Sequence, residues 1–175
     1  MPERLRYPEF SPEIYSKLQA FGHSIAIASS LEPVLKAFIE LRASQMNGCE
    51  FCVAAHEADL RKHHEPESRI AALVEFRGSE AFTAREKAAL AWTEVLTDLV
   101  SGSHASDADY EAVREFFDGK ELVDLSFAIA NINAWNRLGV AFQPKYKTKA
   151  ELAAEKGEPP MQDAVGEDGG KVSTD

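Results

Sequence analysis

The sequence predicts an all-α fold, and three observations carry that expectation. Apolar residues recur at helical spacing in the longer segments, as Ala88, Trp92, Val95 and Leu99 do. Helix start and stop signals follow one another at short intervals. No convincing run of alternating apolar and polar residues occurs, so no strand is expected.

The elements can be justified in chain order. Ser11-Pro12-Glu13 offers a serine at an N-cap and a proline in the first turn, which opens a helix over residues 12–28. Leu31-Glu32-Pro33 opens a second over 33–46, and Asn47-Gly48 stops it because that dipeptide favours turns. A third carries Cys49 to about Lys62. Glu65-Pro66 starts a shorter one that reaches about Phe76. Thr83-Ala84-Arg85-Glu86 is a capping box, and the helix after it is expected to end at Ser101-Gly102. Ser106 caps a helix over 107–117, with Asp118-Gly119 as its stop. The last helix spans about Lys120 to Val140. Leu122, Leu125, Ile129 and Ile132 form one stripe on it, with Ala128, Ala130 and Ala134 beside them. An apolar surface that broad suggests burial on more than one side.

At 175 residues, 45% hydrophobic and 27% charged, the chain suits one soluble domain with a sizeable core. The helical domain is expected over residues 1–143. Residues 144–175 are rich in Gly, Pro and charge and read as a disordered tail, because they cannot bury enough apolar surface to offset their ordering entropy. A net charge of −10 without a basic run argues against a nucleic-acid face or a polybasic membrane anchor. The opening MPERLRYPEF has no apolar core of a secretory signal, and the apolar runs are too short to span a bilayer. A cytoplasmic location is therefore expected.

The chain has two cysteines, both in NGCEFCVAAH. Cys49, Cys52 and His56 stand at i, i+3 and i+7, which is one face of a helix. Free N–H groups and the dipole at a helix start favour thiolate at Cys49, whereas Glu50 beside it disfavours thiolate. His56 lies one turn beyond Cys52, close enough to hold or take its proton. Three readings stay open on these residues alone: two buried thiols, a zinc site, or a dithiol redox centre. Zinc fits poorly, because His63 and His64 are the further ligand candidates and share the same helix, which cannot easily surround a tetrahedral ion. Those two histidines read instead as a solvated helix end, and His23 and His104 as surface residues. No metal or cofactor is expected.

The run LEPVLKAFIELRASQMNGCEFCVAAH resembles the core of the alkylhydroperoxidase D-like, carboxymuconolactone decarboxylase family. The likeness lies in Arg42-Ala43-Ser44-Gln45, Asn47-Gly48-Cys49, Cys52 and His56. It continues through Thr83 to Glu94, Glu121 to Leu125 and Ile132 to Leu138, and covers most of the chain from Tyr7 to Phe142. The resemblance implies an all-helical fold of about seven helices, assembled into trimers or hexamers. It implies a thiol-dependent peroxidase in which Cys52 attacks a hydroperoxide and Cys49 resolves the sulfenic acid to a disulfide. A dithiol, such as a lipoyl or thioredoxin-like protein, would be the reductant, and His56 would move protons.

One position departs from the family pattern. The relay glutamate expected twelve residues before the first cysteine is Ala37 here. Glu40, three residues on, is the candidate substitute if its helix face allows; its bland reading is an exposed charge near Lys36 or Arg42. The departure keeps another reading in play, a non-catalytic redox sensor or assembly module; the family name adds a lactone decarboxylase, against which the cysteine pair argues. Trp92 and Trp135 read as core or subunit contacts, and Asn133 and Asn136 as buried amides in need of partners.

Overall fold

Proline and capping chemistry decide where most helices begin. The computed structural model describes residues 4–99 and 104–147, and within them the order is α1 Tyr7–Phe10, α2 Pro12–Ala28, α3 Pro33–Asn47, α4 Glu50–Lys62, α5 Glu67–Ala71, a 3-10 turn Ala72–Glu75, α6 Ala84–Thr97, α7 Asp107–Arg114 and α8 Gly119–Phe142. No strand occurs among the described residues, so the fold is all-α.

Three local differences from the sequence reading stand out. Ser11 stands at the N-cap of α2, yet its hydroxyl caps nothing; its backbone N–H closes instead on the Tyr7 carbonyl, 3.2 Å away, because the unexpected α1 runs straight into it. The α6 helix ends at Thr97, ahead of Ser101-Gly102, which lies outside the described residues. Asp118 proves to be a start as well as a stop. Its side chain accepts the Glu121 N–H at 2.8 Å, and Glu121 returns the bond, so a capping box opens α8. The expected box at Thr83 and Glu86 forms, as does one between Ser106 and Asp109. Of the expected disordered tail, residues 148–175 lie outside the described residues.

The centre of the fold is α3, which packs against α4, α6 and α8. Phe38, Ile39 and Leu41 are fully buried on it, against Leu60, Leu73, Leu90, Leu125 and Ile129 from the surrounding elements. Each such side chain contributes roughly 1.5–3 kcal/mol on leaving water. The breadth of the apolar surface of α8 is explained by its neighbours, since it meets α2, α3, α4, α6 and α7.

Two part-buried ion clusters pin α6 in place. Glu94 accepts Arg42 Nε of α3 at 2.7 Å and also pairs with Arg77. Arg69 joins Glu65 to Glu86 at 2.5 Å each, with its guanidinium over the rings of Phe38 and Phe82. Among the described residues no helix is long and apolar enough to cross a membrane.

Candidate active site

The site is built where α3 stops. Gly48 adopts a left-handed conformation, φ 65°, in which a side chain would be strained. Its N–H and that of Cys49 return to the carbonyls of Gln45 and Ser44, at 3.2 and 3.1 Å. The chain thereby reverses and delivers Cys49 to the N-cap of α4. Its sulfur accepts the backbone N–H of Cys52 at 3.4 Å. The two cysteines are disulfide-bonded, with Cα atoms 5.3 Å apart.

A buried amide network holds this turn against α8. Asn47 Nδ2 donates to Asn133 Oδ1 and Asn136 Oδ1, both at 2.9 Å. Asn136 donates on to Ser44 Oγ, and Asn133 to Thr97 Oγ1, each at 3.0 Å. The two asparagines of α8 thus bond the strongly curved segment before Cys49. Asn47→Ala removes the donor they share and leaves the buried Asn136 Oδ1 short, while Asn133 Oδ1 keeps Arg137 Nη1 at 3.2 Å. It is expected to lower stability by about 2 kcal/mol, measured as a shift in urea midpoint.

The two sulfurs differ in access. Cys49 is 1% exposed and Cys52 5% exposed. Cys52 lines a cavity of about 400 Å³ together with His56, Glu40, Lys36, Asn131 and Trp135. Its remaining walls include Ile25, Phe51, Ile132 and Tyr7, so an apolar side faces a polar one of similar extent. Apolar walls with convergent polar groups suit a small-molecule site.

Glu40 is on the polar side and is only 6% exposed. Oε2 stands 3.5 Å from His56 Nδ1, and Lys36 Nζ reaches Oε1 and Oε2 at 3.0 and 3.1 Å. Lys36 and Glu40 are one turn apart on α3, and Cys52 and His56 one turn apart on α4, so two helices align the whole series. Burial pushes the His56 pKa below the usual imidazole value; Glu40 and Asp59 pull it up and Lys36 pushes it further down. His56 is therefore neutral at pH 7, the form that can accept a proton.

Ala37, where a glutamate was expected, lies in the apolar core at 1% exposure. The carboxylate next to His56 comes from Glu40, one turn further along the same helix. Ala37→Glu would bury a charge among apolar side chains. It is expected to cost about 3 kcal/mol or more in stability, with no gain in peroxide consumption, checked by thermal melts beside a turnover assay.

The other candidates fall as follows. His63, His64, His23 and His104 are exposed, and among the described residues no group of three or more His, Cys, Asp or Glu side chains is placed for a metal ion. Trp92 is buried and donates to Ser126 Oγ at 3.0 Å. Trp135, read from sequence as a packing residue, instead forms part of the cavity wall and meets Tyr15 edge-on.

Sequence reasoning missed Asn131 and Gly139. Asn131 lines the cavity, and its buried Oδ1 has no hydrogen-bond partner. Gly139 lies against both sulfurs: a Cβ there would overlap Cys49 Sγ and come within 3.3 Å of Cys52 Sγ. A signal was present, since Asn131, Trp135 and Gly139 recur every four residues on α8, and a glycine inside an apolar helix calls for a packing reason.

A helical protein that sets a CxxC pair at a helix start, beside a histidine and a buried carboxylate, defines a recognisable class. The sequence profile of the carboxymuconolactone decarboxylase family matches residues 12–95. The uncharacterized protein YdfG of Bacillus subtilis (strain 168) is 36% identical over 149 residues, spanning 85% of this chain and all of that one. A solved structure from Agrobacterium tumefaciens, of a protein of unknown function proposed as an antioxidant defence protein AhpD, is 32% identical. It superposes with a TM-score of 0.79 over 85% of this chain and all of that one. The alkylhydroperoxidase AhpD core of a peroxidase-related protein from Ralstonia eutropha JMP134, at 21% identity, shares the fold with a TM-score of 0.70, over 82% of this chain and 75% of that one. The chain belongs to the carboxymuconolactone decarboxylase family, in its AhpD-like branch.

Proposed function

We propose that the protein is a thiol-dependent peroxidase that cycles through the Cys49–Cys52 disulfide. The observation that carries this reading is that Cys52 opens on the same cavity as His56 and Glu40, while Cys49 lies bonded behind it. In the reduced state neutral His56 takes the Cys52 proton, and Glu40 steadies the imidazolium that results. The Cys52 thiolate attacks the outer peroxide oxygen. The O–O bond breaks, Cys52 becomes a sulfenic acid, and the leaving alkoxide takes the proton from His56 as an alcohol. Cys49 then attacks the sulfenic sulfur, forming the disulfide and releasing water.

Reduction runs through the same opening. The thiolate of an external dithiol, such as a lipoyl group or a thioredoxin-like protein, attacks the more accessible Cys52 sulfur. Cys49 leaves as a thiolate at the N-cap of α4, where the Cys52 N–H and the helix dipole stabilise it. The second thiol of the reductant closes its own disulfide and frees Cys52, so two electrons and two protons pass to the protein.

The relay is tested by Glu40→Gln, which keeps the shape and removes the charge. Peroxide consumption with dihydrolipoamide is expected to fall by about ten- to a hundredfold. A rate equal to wild type would exclude Glu40 from the relay. The sensor reading arose from the lack of a carboxylate at Ala37, and the position of Glu40 supplies one from the next turn.

The protein is further read as cytoplasmic and as a homo-oligomer, a trimer or hexamer. Phe10, Ile14 and Ile27 near and on α2 and Val123 and Phe127 on α8 are large exposed apolar side chains, which favours association. Sedimentation at micromolar concentration is expected to give more than one protomer.

A further inference from the structure

Glu40 is a buried carboxylate, and a buried carboxylate needs a positive partner. Two candidates reach it. Lys36 contacts both oxygens, at 3.0 and 3.1 Å, and His56 approaches one of them at 3.5 Å. All three line the Cys52 cavity. Whichever group supplies the charge decides the protonation state of His56. If Lys36 supplies it, His56 can stay neutral and act as a base. If Lys36 were absent, the most accessible source of charge would be His56 itself, which would then be held as imidazolium and could accept no proton.

We infer that Lys36 is a positioning residue of the relay: it anchors the Glu40 carboxylate and neutralises it, so that Glu40 orients His56 without protonating it. Lys36 touches neither sulfur in this role and acts through Glu40. The inference rests on the relay reading given above. The geometry suits it, because an i, i+4 pair on α3 fixes the carboxylate before α4 presents the imidazole.

The other charged and titratable groups around His56 do not take over this role. On α4, Asp59 borders the cavity and is negative, so it adds to the pull of Glu40. From α1, Tyr7 lines the cavity, and burial together with Tyr15 keeps its hydroxyl protonated to higher pH than usual. The cavity walls from α2 and α8 are Gly22, Ile25, Asn131, Ile132, Trp135 and Gly139, none of which titrates. Lys36 is thus the single cation lining the cavity among the described residues.

The test is the titration of His56 followed by NMR in the reduced, full-length protein, beside the pH profile of peroxide consumption. In Lys36→Met the His56 pKa is expected to rise by about one unit. The acid limb of the rate profile should move up with it, giving a roughly tenfold loss of rate near pH 6 that is recovered at higher pH. Lys36→Arg keeps the charge and is expected to titrate close to wild type. Should Lys36→Met fold poorly, Lys36→Gln keeps an N–H donor for Glu40 while removing the charge. Its His56 is expected to titrate above wild type, as in Lys36→Met. A His56 pKa unmoved in folded Lys36→Met, or in Lys36→Gln where that variant is used, overturns the inference. If His56 titrates as expected but the rate profile does not follow, Lys36 sets the imidazole as inferred and it is the peroxidase relay that fails.

Discussion

Cys52→Ser is expected to bring peroxide consumption down to background, a loss on the order of a thousandfold or more. Serine keeps the size of the side chain but cannot form a nucleophilic anion near neutral pH, and its oxygen cannot be oxidised to a sulfenic acid. Cys49→Ser should behave differently. Cys52 and His56 keep their places on α4, so the first attack survives, but no second thiol captures the sulfenic acid. One equivalent of peroxide is consumed in a burst, turnover then stops, and a sulfenic-acid probe labels Cys52. If the two variants gave the opposite pattern, with the burst in Cys52→Ser, the roles of the cysteines would have to be exchanged. The N-cap position of Cys49 is the argument for that exchange, since the dipole favours its thiolate. Access and the nearness of His56 favour Cys52.

The next largest effect is expected at Gly139. Its backbone lies against both sulfurs, and the first atom of any side chain would overlap Cys49 Sγ. Alanine improves helix propensity by about 1 kcal/mol, so the helix itself gains. The disulfide must move or fail to close. Gly139→Ala is expected to slow closure after peroxide at least about tenfold, and Gly139→Val to prevent it, with Cys52 sulfenic acid building up in both. Mass spectrometry after one equivalent of peroxide separates the species. Closure at the wild-type rate in Gly139→Val would show that the helix and the disulfide can part without cost.

The helices were legible because their boundary chemistry is local. Pro12, Pro33 and Thr83 act within one turn of themselves, and each begins a helix where its type predicts. The ends were less legible. At Thr97 and Arg114 the helix stops without a glycine, at Asp98 and Glu115, residue types that carry no stop signal. The same distinction applies to the site. Cys49, Cys52 and His56 share one helix, so their spacing alone aligned them. Glu40 and Lys36 reach His56 across the α3–α4 contact, and whether Glu40 faced solvent or His56 depended on the rotation of α3 about its axis. Asn131 and Gly139 are remoter still, 79 to 90 residues from the cysteines in the chain, and only the packing of α8 brings them in.

Tyr7 of α1 is also part of the wall of the Cys52 cavity. The Arg4 backbone N–H bonds the Phe142 carbonyl at 2.9 Å and its guanidinium the Ala141 carbonyl at 3.1 Å, which clasps the start of the chain to the end of α8. Beyond the clasp Tyr7 lies between Phe142, tilted against it, and Tyr15, met edge-on, and Tyr15 in turn meets Trp135 of the cavity wall edge-on. An affinity tag fused ahead of Arg4 is therefore attached beside a clasp that leads to the cavity wall at Tyr7. Assays on such a fusion report on the tag as well as the enzyme, and tag-free protein is the proper reference for every rate compared above.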